Sequence, residues 1–130
     1  MVELDFFWDT FPAALTAELA ACDTILAADV VYDPQITARF FATLRTVLGL
    51  GRPKTAWLAV ERRERAADGG GLAAPNFDLF KRGLDALQGA RLNNLVVSVE
   101  EVDPGGVKQY FVYSRVSQLT LWKIVSSCDR

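Results

Sequence analysis

The stretch Thr24-Ile25-Leu26-Ala27-Ala28-Asp29-Val30-Val31-Tyr32-Asp33-Pro34 constrains the fold more than any other part of the chain. It begins as an apolar, β-branched run and ends as the opening of a helix. A run without alternation suits a strand covered on both faces, as in a parallel sheet. Asp33 is a good N-cap, and Pro34 sits at the first helical position, where its missing N–H costs nothing. Polar groups that emerge beyond the C-terminal end of such a strand point into the crevice where open α/β sheets take their ligands. Asp29 and Tyr32 fall there, and the two alanines leave room for a molecule to lie against the backbone.

The rest of the chain supplies neighbours for that strand. Val2-Glu3-Leu4-Asp5 reads as a strand end, so the chain looks like the latter part of a larger domain. Phe6, Phe7, Trp8 and Phe11 follow, either as a plug over the sheet or with one aromatic beside Asp5 free to stack on a flat ligand. Residues 12–21 read as a short helix with Leu15 and Leu19 on one side. Ile36, Phe40, Leu44 and Val47/Leu48 give a longer helix from Pro34 to Leu48, closed by Gly49 and Gly51. Residues 55–60 form a second buried strand, which runs into Glu61-Arg62-Arg63-Glu64-Arg65. That charged run is either a solvated loop or part of the same rim as Asp29.

Residues 66–75, with three consecutive glycines, read as a flexible loop; they lack the spacing of a phosphate-cradling turn. Asn76 can cap a helix that buries Phe77, Phe80, Leu84 and Leu87 and stops at Gly89. Residues 92–102 and 117–125 read as strands, with a turn at Asp103-Pro104-Gly105-Gly106. Tyr110–Tyr113 is ambiguous between a strand and a packed turn.

Composition narrows the functions. The 130 residues are 51% hydrophobic, so the chain can bury a core as a single domain. A net charge of −2 offers no electrostatic footprint for nucleic acid, and no direct binding to it is expected. No apolar run reaches membrane-spanning length, and Cys22 and Cys128 read as reduced thiols. An intracellular protein of nucleus or cytoplasm is the expectation. The chain has no histidine, which removes every histidine-based triad, zinc site and proton relay from its own residues. No metal site is expected.

A mostly parallel sheet closed by an antiparallel edge hairpin resembles the C-terminal half of the Rossmann-like, seven-strand S-adenosylmethionine-dependent methyltransferase sheet. Val2-Glu3-Leu4-Asp5, Ala28-Asp29-Val30-Val31-Tyr32 and Leu58-Ala59-Val60-Glu61-Arg62-Arg63, in that order, look like the protein-lysine methyltransferase group, which carries an acidic-x-x-Tyr/Phe motif after its fourth strand. The closing segment, residues 113–124, is similar to the C-terminus of a member of that group. The resemblance covers Val2 to Ile124 and implies a protein substrate with a target lysine. It makes Asp29 and Tyr32 the catalytic pair and Asp5, Phe6 and Ala28 contacts for S-adenosylmethionine. Phe6 stands where the family usually has tryptophan.

The family's glycine-rich cofactor loop matches nothing in residues 1–130. The chain is therefore expected to be one partial methyltransferase domain that binds S-adenosylmethionine poorly by itself. The alternative is a truncated, non-catalytic relative that serves as a protein-interaction module.

Overall fold

The computed structural model of the chain describes residues 4–5, 9–31, 33–106, 108 and 118–128. Helix α1 (Ala13–Ala21) leads into strand β1 (Thr24–Ala28), helix α2 (Pro34–Leu48) and strand β2 (Thr55–Glu61). Two short strands, β3 (Arg65–Ala66) and β4 (Leu72–Ala73), precede helix α3 (Pro75–Leu87). Strands β5 (Arg91–Leu92), β6 (Leu95–Val102) and β7 (Leu119–Cys128) complete the order.

The main sheet runs β1-β2-β7-β6-β5. β1 and β2 are parallel, whereas β7 is antiparallel to both β2 and β6. β1, β2 and β6 therefore point the same way, and β7 is the one long strand reversed among them. This is the expected α/β sheet with its antiparallel hairpin, β7 lying inside the hairpin rather than at the rim.

One helical layer covers one face. Phe40, Leu44 and Leu48 of α2 and Phe80, Leu84 and Leu87 of α3 pack on Ala56, Leu58, Val60, Val97, Trp122 and Ile124. The expectation of two covered faces is corrected here: the alternate residues of β1 and β2 face away from this layer. Leu26 is 79% exposed and Trp57 38%. The register aligns Leu26, Trp57, Lys123 and Glu100 in one row across this open face, and Ala28, Ala59, Leu121 and Val102 in the next. Lys123 lies over the Trp57 ring, 5.4 Å from its centroid.

The helix ends follow local chemistry. Asp33 caps α2 by accepting a 2.9 Å hydrogen bond from the Ile36 amide, and Pro34 is the first helical residue, as expected. Ile36 itself is only half-buried; Thr37 and Thr43 take the inward places beside Phe40 and Leu44. In α3 the start moves to Pro75, with Ala74 rather than Asn76 at the cap.

Three strand expectations are adjusted. Leu4 and Asp5 lie in no strand, and Val2 and Glu3 are outside the described residues. The single strand over residues 92–102 is instead two strands, because Asn93 at φ 56° turns the chain and pairs Leu92 with Leu95. The loop expected over residues 66–75 instead holds most of the β3–β4 ribbon, which starts at Arg65 and whose turn has Gly70 and Gly71 at positive φ.

A buried lysine ties the foot of the sheet together. Lys54 is 2% exposed, and its Nζ donates to the carbonyls of Cys22 (2.8 Å), Arg52 (3.1 Å) and Ala20 (3.4 Å). The first and last of these flank the end of α1. The Lys54 amide also donates to Ser126 Oγ at 2.9 Å, which reaches β7. Burial pulls the ammonium below its usual pKa, the Arg52 charge adds to that, and Cys22 and Asp23 oppose it.

Candidate functional site at the tips of β1 and β2

Strand β1 stops at Ala28 because Asp29 takes a left-handed backbone, φ 57°. Aspartate is among the residues that tolerate this region, at a cost that usually marks a turn or a functional position. The Asp29 amide still donates to Ala59 O at 3.2 Å, so the residue is held to β2 as the strand ends. Val30 and Val31 then fold down against the core rather than continuing the strand.

Asp29 therefore stands at the C-terminal tips of the parallel pair, the place read for it from sequence. Its Oδ1 accepts a hydrogen bond from Arg63 Nη2 at 3.3 Å. The same guanidinium places Nε 3.5 Å from Glu61 Oε2. The three groups differ in exposure: the Asp29 side chain is 58% exposed, Arg63 54% and Glu61 10%. Arg62 turns the other way, pairing with Glu64 at 3.3 Å and lying 5.7 Å above the Phe77 ring. The charged run is thus split, one arginine on the β1 tip and the next on α3.

A cleft of about 160 Å³ adjoins the tips, lined by Val31, Glu61, Arg63, Glu64, Asn76 and Phe77. On the open face, Ala28 and Ala59 floor an apolar depression of about 300 Å³ walled by Leu26, Trp57 and Leu121. Ala28 is exposed there, and its small side chain leaves its backbone approachable. Asp5 is exposed as well. Tyr32 and Phe6 lie outside the described residues, so of the five site residues read from sequence the structure locates Asp29, Ala28 and Asp5.

Residue reading alone missed the Glu61–Arg63 link. A signal existed: Glu61 closes a strand and Arg63 follows two residues later, a spacing that can put both side chains on one side of the chain end. Among the described residues, no group of three or more His, Cys, Asp or Glu side chains could hold a metal ion. Among them also, no helix is long and apolar enough to cross a membrane.

The sheet order defines the class: a partial Rossmann-like α/β sheet, with Asp29 at the tips of its parallel pair. Sequence similarity to known proteins adds a family. The chain is 38% identical over 106 residues to Methyltransferase-like protein 22 of Mus musculus and 36% identical over 107 residues to Methyltransferase-like protein 22 of Homo sapiens. Each match covers 78% of this chain and 26% of the relative, so the matched part is about a quarter of those proteins. The chain is thus a relative of the methyltransferase-like proteins. No protein-family profile matches it, and no solved structure does.

Proposed function

We propose that this chain supplies the C-terminal half of an S-adenosylmethionine-dependent protein-lysine methyltransferase. The observation that carries the reading is Asp29, set in a left-handed turn at the tips of the parallel strands β1 and β2 within a sequence related to methyltransferase-like proteins. When bound, S-adenosylmethionine supplies an electrophilic methyl group on a sulfonium.

The chain's own residues supply position and polarity. The depression floored by Ala28 and Ala59 suits a flat, apolar group lying against backbone, and Asp5 and Phe6 are the further contacts the family resemblance implies. Asp29 accepts hydrogen bonds from the lysine amine and orients its lone pair, which is where a preorganised site gains most. Tyr32 offers a phenol to the same amine and an aromatic face to the cationic nitrogen that develops, an attraction of about 0.5–2 kcal/mol. The lysine must enter as the neutral amine, and one of its protons leaves to solvent or to the carboxylate.

The test is methylation of a lysine-bearing protein by a full-length family protein carrying this segment. Asp29→Asn and Tyr32→Phe should each keep the fold and lower turnover at least tenfold. Unchanged rates in both variants would remove the assignment. Calorimetric titration of the isolated chain with S-adenosylmethionine should show no low-micromolar binding.

One observation favours a second reading, a non-catalytic interaction module: exposed Leu26 and Trp57 give the open face an apolar character suited to covering by another polypeptide. A full-length protein that stays folded and binds partners, yet transfers no methyl group, would favour that reading.

A further inference from the structure

The geometry points to Arg63 as a positioning residue for Asp29, with Glu61 acting through it. This rests on the reading of Asp29 as the carboxylate that meets the amine. Asp29 is the first residue beyond the sheet's edge strand, and its side chain is more than half exposed. Little in its own turn fixes where the carboxylate points.

Arg63 gives that carboxylate a fixed direction. Its guanidinium is a planar fork, and the fork is used on two sides: Nη2 meets Asp29 Oδ1 at 3.3 Å and Nε meets Glu61 Oε2 at 3.5 Å. Glu61 is the last residue of β2, which pairs on both sides, and its side chain is only 10% exposed. Orientation is thus handed from the interior of the sheet to its edge: β2 fixes Glu61, Glu61 fixes Arg63, and Arg63 fixes Asp29. Among the described residues only Oδ1 of Asp29 is engaged, which leaves Oδ2 to accept a hydrogen bond from an amine.

Half-exposed ion pairs add little to stability, so the value of this chain of contacts lies in aim rather than in holding the fold. A lysine at position 63 carries the same charge on a single point and cannot span both carboxylates.

The test is nuclear magnetic resonance of the labelled full chain, reading the side-chain rotamer of Asp29 from its Hα–Hβ couplings. The wild-type chain should show one dominant rotamer. Arg63→Gln and Arg63→Lys should both give averaged couplings. Glu61→Gln should do the same although Glu61 does not touch Asp29, whereas Arg62→Gln should leave the couplings unchanged. Amide spectra of each variant check that the sheet is intact. Averaged couplings already in the wild-type chain would overturn the proposal, as would a fixed Asp29 rotamer in both Arg63→Gln and Glu61→Gln. A fixed rotamer lost on Arg63→Gln in a protein whose methyl transfer is indifferent to Asp29→Asn would uphold the positioning and remove only the methyltransferase reading.

Discussion

Arg63 reaches back across the tips of two parallel strands to hydrogen-bond Asp29, Nη2 to Oδ1 at 3.3 Å. The pair joins the residue just past the edge strand β1 to the loop that leaves its neighbour β2. Both side chains are more than half exposed, so the contact defines geometry rather than stability.

The left-handed backbone of Asp29 decides which substitutions report on chemistry alone. A β-carbon at φ 57° costs roughly 1–2 kcal/mol for most residues, and asparagine and glycine bear it best. Asp29→Asn and Asp29→Gly should therefore leave the urea midpoint nearly unchanged. Asp29→Val should lower stability by about 1–2 kcal/mol. A valine variant as stable as the asparagine one would contradict the turn geometry.

Gly51 and Gly83 are each confined by a neighbour. A β-carbon on Gly51, at φ +62°, would lie 2.4 Å from the carbonyl oxygen of Ala20, a backbone atom that cannot step aside. On Gly83 it would lie 2.2 Å from the Phe41 ring, where α3 meets α2. Alanine gains about 1 kcal/mol over glycine inside a helix, yet Gly83→Ala should still destabilise by about 1–3 kcal/mol through overpacking. Chemical denaturation of both alanine variants checks this, with Gly51→Ala expected to be the worse.

Lys54 yields a prediction with a pH sign. Lys54→Met leaves the carbonyls of Ala20, Cys22 and Arg52 without their common donor and should cost about 1–3 kcal/mol. Because burial lowers the folded-state pKa below 10.5, the folded chain holds fewer protons than the unfolded chain between those two values. The contribution of Lys54 to stability should therefore rise as pH climbs through that window and be smallest at neutral pH. Subtracting the Lys54→Met unfolding curve from wild type, pH by pH, isolates the effect.

Leu26 makes few contacts of its own, being 79% exposed. Leu26→Ser should keep thermal stability within about 0.5 kcal/mol, as is usual for surface positions. It should also reduce concentration-dependent light scattering, because an unblocked apolar edge strand invites pairing with other chains. Equal scattering in both proteins would place self-association elsewhere.

Much of this architecture was legible in the residues because local signals agreed with one another. Asp33-Pro34 at the start of α2, Gly49 after its end and the Phe40–Leu44–Leu48 stripe all specify the same helix, and it runs from Pro34 to Leu48 as read. Where one signal stood alone, it failed. Asn76 looked like a cap, but Pro75 fits the first helical position as well and moved the start forward. An apolar run with no alternation implies two covered faces, yet among the described residues β1 and β2 carry helices on one side only. Their unbroken hydrophobicity records a need for cover that α2 and α3 do not meet. Asp29 was placed correctly because a strand end is a local event. For Arg63 the residues leave two readings open, a solvated loop or the rim beside Asp29, and the structure selects the rim; the pairing itself depends on tertiary register.

The row Leu26–Trp57–Lys123–Glu100 makes the uncovered side of the sheet asymmetric. It is oily along the margin of β1 and wettable along that of β6, with Lys123 at the divide. A second layer laid on this side would dehydrate β1 and β2 almost for free, but would have to strip water from Lys123 and Glu100 to extend further. The shoreline of any such layer is thus already drawn, between the second strand and the reversed one.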